Sequence, residues 1–411
     1  MKKFLCISMT ALLVAMSCVG CASEKESGPL ELEFFSLKPE AMDCYEELIA
    51  QFNEQNPDVH VTLTSTSDAQ TVFLTRVSTN DIPDICYVYY NSTYIAFEEE
   101  GLFKDLTGDP ILDLVDDSIE NMAYVGDSIY CVPMTLSPAG IFYNKDLFAE
   151  KGYTYPETYE ELIELCKQMQ ADGITPFAFS DKTVSTLGQQ AERLLGGNIN
   201  YTVADKFAQV GAGETSWTKE PELRRLAEIE LELHEYCQDD YLGTAHEDAI
   251  SMFVNQEVAM IYSGTWAAST INDGEPEFEY EMLPFPAIDG VEPYLCTNPD
   301  TCYAISASST EEEQEAAYRF IEFLLSEEAL SRWIETDLSP NMAVNIEYDV
   351  DCFSTTTETM NSGAISMLPS VTQPAGFRNE WQVLVQQLLI DKDIDAFLEA
   401  SDKVTLDYYA Q

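Results

Sequence analysis

Apolar positions along this chain recur at two spacings. Leu30 to Phe35 is a short apolar run that reads as a strand, and Met42, Tyr45, Leu48, Ile49 and Phe52 then recur at helical spacing until Pro57 stops them. Val59, Val61 and Leu63 alternate as a second strand. Strand, helix, strand predicts a βαβ unit and a largely parallel sheet. The order repeats with a helix over Ala69 to Thr79, a strand over Asp84 to Tyr89 and a short helix ending before Gly101 as its C′ glycine. Farther on, Thr158 and Glu161 form a capping box ahead of Tyr159, Leu162, Ile163, Cys166 and Met169, and Gly173 closes that helix. Phe177 to Ser180 reads as a strand, and Thr183 to Trp217 as helical in parts but rich in glycine. Leu223, Leu226, Ala227, Glu230 and Leu233 mark one side of a longer helix whose charges read as mostly solvated. Phe253, Val258, Ala259 and Met260 lead into a strand that ends at Gly264, Thr265 and Trp266. Strands over Tyr280 to Leu283 and Tyr303 to Ser306 follow, then two helices, the first capped by Ser309 or Thr310. A late helix is marked by Trp381, Leu384, Val385 and Leu388, and a last one runs from Ile394 to Tyr408.

One stretch does not fit this alternation. From Ile129 to Phe148 an apolar run is closed by Pro133, passes Ser137, Pro138, Ala139 and Gly140, and resumes at Ile141, Phe142 and Tyr143. The Pro138 and Gly140 pair is expected to break regular pairing, either as a hinge where the chain leaves one sheet for another or as a plain surface loop.

Length and composition set bounds on these readings. A chain of 411 residues exceeds what one core usually supports, and its hydrophobic content of 45% is enough for two. The N-terminus stands apart: Lys2 and Lys3 precede an apolar run from Phe4 to Val19, then Gly20, Cys21 and a polar stretch. This reads as an export signal, too short to span as a membrane helix. Val19, Gly20 and Cys21 resemble the lipobox of bacterial lipoproteins, which implies a lipidated Cys21 as the mature N-terminus. Cys18 stands where that pattern usually has Leu and is the second candidate. No later stretch approaches the ~18 apolar residues of a membrane span, so the expected mature protein is anchored to the outer face of the membrane.

Charge narrows the partners. Without its first 20 residues the chain would hold 18 cationic against 73 acidic side chains, a net charge of −55. Such a surface repels phosphate backbones, so nucleic acid is not an expected partner. The runs Glu98 to Glu100 and Glu311 to Glu313 read as solvated acidic faces. Eleven cysteines show no disulfide framework, because the CxxC of Cys18 and Cys21 lies in the signal and anchor. Cys86, Cys131 and Cys166 fall in apolar stretches and read as small hydrophobes. Cys296 and Cys302 flank a short turn and are the one pair placed to meet.

Four distant stretches together resemble the extracellular solute-binding proteins of carbohydrate ABC importers, of the maltose-binding type. They are Pro83, Asp84, Ile85 with Gly101, Leu102, Asp105, Leu106 and Thr107; Tyr143 to Phe148 with Gly152, Pro156 and the capped helix; Phe253, Val258 to Met260, Gly264 and Trp266; and Tyr303 to Ser306 with the helix to Leu325. Each is weak alone, and their order carries the resemblance across most of Leu30 to Gln411. It implies an α/β fold of the two-lobed, periplasmic-binding-protein-like kind (type II). Each lobe would be a mixed sheet flanked by helices, and a multi-strand hinge would join them. Carried onto this chain, residues 1–20 are a signal peptide, 21–29 a linker, 30–136 with 301–337 one lobe, and 137–300 with 338–411 the other. The implied crossovers fall near Leu136 to Gly140, Tyr294 to Cys302 and Asp337 to Val344.

The resemblance also implies a sugar held between the lobes, and a sugar needs flat rings for its C–H faces and planar polar groups for its hydroxyls. Trp266, after Gly264, matches the family's stacking tryptophan, with a core tryptophan as the lesser alternative. Trp381 corresponds to a second stacking position or to the core face of its helix. Tyr89, Tyr90 and Asn91 follow the PDI strand where such proteins place ligand groups. Maltodextrin binders carry a tryptophan and an aspartate there, where this chain has Val88 and Asn91, and a glutamate where it has Ser137; these departures speak against maltodextrin. Ser36 and Lys38 end the first strand, beside Phe35, and Asp181 follows the Phe177 strand in another contacting position. Each of these has a bland alternative as a solvated loop residue.

For catalysis the chain offers His60, His234 and His246 but no nucleophile elbow, phosphate loop or histidine metal spacing. A surface glycosidase with paired carboxylates and an adhesin are the remaining alternatives. The expected protein is a monomeric sugar receptor without cofactor, serving ABC permease subunits, with a peptide or other polar solute as the alternative ligand.

Overall fold

The computed structural model describes residues 28–38, 41–66, 68–337 and 350–410. Its first sheet has the strand order Val59–Thr64, Leu30–Phe35, Ile85–Val88, Cys302–Ile305 and Val132–Pro133. The first three run parallel, with Leu30 opposite Val59 and Phe34 opposite Ile85. Helix Met42–Gln55 closes the first βαβ unit by burying Cys44, Tyr45, Leu48, Ile49 and Phe52. Cys302–Ile305 runs antiparallel to both of its neighbours, because it arrives from the other lobe and enters the sheet from the opposite end. The sheet is therefore mixed rather than largely parallel.

The second sheet has the order Tyr280–Leu283, Ala139–Asn144, Val258–Gly264 and Thr175–Ala178. Ala139–Asn144 is antiparallel to both neighbours, and Thr175–Ala178 runs parallel to Val258–Gly264. The chain does leave the first sheet for the second here, between Pro133 and Ala139, with Ser137 and Pro138 in neither strand; the expected break does not reach Gly140, because Ala139 and Gly140 already pair with Gly264 and Ser263. Gly140 answers a different demand, since a Cβ on it would lie 2.2 Å from the Leu283 carbonyl oxygen. Only a residue without a side chain lets these backbones approach.

Two main cores follow from two sheets, and the chain passes between them quickly. Leu136 packs in the first core and Ala139 in the second. The return segment lies alongside: the Met134 N–H donates to the Thr301 carbonyl at 2.7 Å, and the Asp300 N–H to the Thr135 carbonyl at 2.9 Å. The Ser137 N–H donates to Thr297 Oγ1 at 3.1 Å, and Leu136 bridges Pro299 in antiparallel fashion. A short parallel ribbon, Leu295–Thr297 with Ile365–Met367, sits beside this pair. The third expected crossing, Asp337 to Val344, lies outside the described residues except for the end of helix Glu327–Asp337.

Three expectations made from local pattern are corrected by packing. Cys296 and Cys302 do not meet, and both carry free thiols. Glu230 is not solvated but 3% exposed. Glu98 is likewise no part of a solvated face: it is 2% exposed, and burial, partly offset by the neighbouring Tyr94 phenol, raises its carboxyl to about 8. In the unfolded chain the same group titrates at its ordinary 4.5. Folding therefore takes up a proton between those values, and the contribution of Glu98, full below about 4.5, is lost as pH rises towards about 8, by up to ~1.4 kcal/mol per pH unit. Glu98→Gln, neutral throughout, removes that slope. Denaturation midpoints at pH 5 and pH 8 should fall farther for the native chain than for the variant; parallel falls would place Glu98 in water.

Candidate functional site

A cleft of about 510 Å³ lies between the two lobes, where the strand ends of both sheets converge. Its first-lobe wall begins where Ile85–Val88 runs out. Tyr89 sets its ring edge-on against Tyr87 at 5.2 Å, and Asn91 Oδ1 accepts the N–H groups of Thr93 and Tyr94, capping helix Ser92–Glu99. Those two bonds occupy the Asn91 carbonyl oxygen and leave its amide N–H groups outside the cap. Lys38 is 5% exposed, with Nζ 3.5 Å from Asp300 Oδ2 and 5.4 Å above the Trp333 ring. Asn298, on the return crossing, donates from Nδ2 to the Tyr90 carbonyl at 2.8 Å.

The second-lobe wall is built around Trp266. Strand Val258–Gly264 delivers it, and Gly264 gives it a seat: a Cβ there would lie 1.8 Å from Cζ3 of the indole. Arg193, the last residue of helix Val184–Arg193, carries its guanidinium carbon 5.0 Å from the Trp266 ring centroid. The same guanidinium donates to the Ser137 carbonyl at 3.1 Å and to the Gln189 carbonyl at 3.3 Å. Arg378, in the first turn of helix Phe377–Asp391, directs Nε and Nη2 at Glu192 Oε2, each at 2.9 Å.

Six of the residues singled out from sequence come together here: Lys38, Tyr89, Tyr90, Asn91, Ser137 and Trp266 all line the cleft. Tyr90 does so with its backbone side, because its phenol donates to the Tyr124 carbonyl at 2.9 Å inside the first lobe. Gly264 acts through Trp266. The other three are displaced by packing. Ser36 is fully buried, and its Oγ accepts the Lys38 N–H at 3.1 Å, which orients Lys38 rather than a ligand. Trp381 is 1% exposed in the second core, its ring 6.3 Å from Phe207 and 6.5 Å from Phe397. Asp181 is buried against His234, whose Nε2 lies 2.7 Å from Asp181 Oδ2. Burial opposes a charge on His234, but the hydrogen bond and field of Asp181, with Glu230 behind, outweigh it and hold the imidazole above its ordinary value. This pair braces the second lobe and does not line the cleft.

Pattern reading missed Arg193, Arg378, Asn298 and Asp300. Two of these stand inside the segment named as the second crossover, so a closer look at Asn298, Pro299 and Asp300 would have found them. For Arg193 the signal is a charged pair, Glu192 and Arg193, set in an apolar helical stretch of a chain poor in cations. An indole, two guanidinium forks and several amides can grip a polar ring with apolar faces. Among the described residues no group of three or more His, Cys, Asp or Glu side chains could hold a metal ion.

Residues 39–330 match the family model described as bacterial extracellular solute-binding protein. The chain is 27% identical over 347 residues to the multiple sugar-binding protein of Streptococcus mutans, covering 84% of this chain and 82% of that one. It is 23% identical over 413 residues to an uncharacterised ABC transporter extracellular-binding protein of Pyrococcus horikoshii, covering 93% and 90%. Its backbone superposes on that of RafE bound to raffinose with a TM-score of 0.81 at 23% identity, covering 92% of this chain and all of that one. The apo form of RafE, from Streptococcus pneumoniae, gives the same TM-score at 22% identity, covering 93% and 99%. At such identities these structures speak for the fold, two α/β lobes around a cleft, while the family match spans most of the chain: the protein belongs to the bacterial extracellular solute-binding protein family.

Proposed function

We propose that the protein captures a sugar or oligosaccharide between its lobes and delivers it to the permease of an ABC importer, without chemical change to the ligand. The observation that carries this reading is Trp266, seated on Gly264 and facing a wall of Tyr89, Asn91 and Asn298 across the cleft. An aromatic face opposite planar amides suits a ring with apolar C–H faces and a belt of hydroxyls. The name of the Streptococcus mutans relative and the raffinose held by the structural neighbour support it. In this reading residues 30–136 with 301–337 and residues 137–300 with 338–411 move as two bodies. They close about the paired segments near Leu136 and Pro299, where few residues cross. Cys21 carries the lipid that tethers the receptor outside the membrane; among the described residues no helix is long and apolar enough to cross it.

A thermal-shift screen of the chain without its first 21 residues, against mono- and oligosaccharides, amino acids and peptides, tests the reading. A ligand that binds only the folded state adds about 2.7 kcal/mol of stability at 100-fold excess over its dissociation constant. A shift with one sugar class and no product on incubation is the expected result. Silence across sugars with a response to peptides would keep the fold and overturn the ligand.

A further inference from the structure

The charge of the cleft is inverted relative to the rest of the molecule. The whole chain has 73 acidic side chains against 20 lysines and arginines, yet the described residues lining the cleft include three cations, Lys38, Arg193 and Arg378, and one carboxylate, Asp300. Their pairing is uneven. Lys38 faces Asp300 at 3.5 Å, and Arg378 shares the buried Glu192 carboxylate at 2.9 Å. Arg193 is left over: among the described residues its polar bonds go to two backbone carbonyls, Nε is buried with no partner, and the side chain is 3% exposed. A buried cation whose hydrogen bonds go only to backbone carbonyls is costly, even with the Glu192 carboxylate in its field and the Trp266 ring 5.0 Å away. Burial is the main cause that holds the Arg193 guanidinium below its ordinary value, with the like charge of Arg378 adding to it against an opposing pull from groups that include Glu192; both arginines line the same cleft.

Resting on the sugar-receptor reading above, we propose that the ligand is an acidic carbohydrate, one that bears the carboxylate of a uronic acid, and that Arg193 and Arg378 receive this carboxylate beside the ring stacked on Trp266. The geometry fits the chemistry of both arginines. Arg193 is fixed by its two carbonyl contacts and by the indole, so its unused Nε–H is pre-oriented. Arg378 uses Nε and Nη2 on Glu192 and keeps Nη1 for the ligand. Charge count favours a carboxylate over a phosphate ester. Among the described residues, three cations against Asp300 and Glu192 leave an excess of one, which a carboxylate neutralises, whereas a phosphate monoester brings about −1.5 to −2 at neutral pH.

The test uses matched pairs: oligogalacturonides and their methyl esters, and glucuronate-bearing xylan fragments and their methyl esters, with raffinose as a neutral reference and a hexose phosphate as a second anion. Affinities are measured by calorimetry on the chain without its first 21 residues. The acid of at least one pair should bind about tenfold or more tightly than its ester, the scale of a charge-assisted hydrogen bond to a guanidinium. Arg193→Gln and, as a half-buried second site, Arg378→Gln should each bring that ratio towards one. Acid and ester binding alike in both pairs, or the phosphate binding while both acids do not, would overturn the assignment and leave the receptor standing. Raffinose binding with neither acid doing so would have the same meaning. Silence from every carbohydrate would overturn the assignment together with the receptor.

Discussion

Trp266→Ala weakens sugar binding by about 1–3 kcal/mol, or roughly 5- to 150-fold in the dissociation constant. The indole is partly exposed at the cleft, its benzo ring rests over the Cα of Gly264, and Arg193 lies 5.0 Å from its centroid. Removing it strips the second-lobe wall of its flat apolar surface while the strand behind, Val258–Gly264, keeps both neighbours. Stability should therefore change much less than affinity. Calorimetric titration of the native chain and the variant with the sugar found by the thermal screen, next to their melting curves, separates the two effects. Unchanged affinity with a lowered melting temperature would make Trp266 a core residue.

Trp381→Ala should do the opposite. This side chain is 1% exposed, flanked by Phe207 and Phe397 in the second core, and truncating a buried tryptophan costs about 3–5 kcal/mol. Among the described residues its indole Nε1 has no hydrogen-bond partner, so the loss is one of packing and not of a polar contact. Denaturant unfolding should report a marked fall in the midpoint, and the dissociation constant measured well below that midpoint should stay within about twofold of the native value, because Trp381 is not among the residues that line the cleft. An affinity loss with unchanged stability would return Trp381 to the ligand surface. The two tryptophans thus form a matched test in which identical substitutions act on different quantities.

These two residues also show what could be read before the fold was known. Both stand in apolar periodic stretches, and periodicity alone says only that one face of an element is buried. Trp266 carried an extra local signal, the glycine two residues before it, which gives its ring room at the end of a strand. Trp381 carried none.

The same contrast holds across the molecule. Strand Leu30–Phe35, the capping box of Thr158 and Glu161 and the helix from Ile394 were legible because each is encoded within a few consecutive residues: alternation, a cap, a terminating glycine or proline. The family resemblance was needed to place Lys38, Tyr89, Asn91 and Ser137 at the ends of strands or at a crossing, where a two-lobed fold opens its cleft. Tertiary structure alone decided the surroundings of Glu98, Glu230 and Asp181, three carboxylates that look solvated in sequence and are buried in the fold. It also decided the meeting of Arg378 with Glu192, from helices far apart in the chain, and the uninterrupted strand through Gly140. Local pattern fixes which way a backbone runs over a few residues. Whether a side chain then meets water, a neighbouring helix or a cleft depends on partners contributed from elsewhere, and no spacing along the chain encodes those distances.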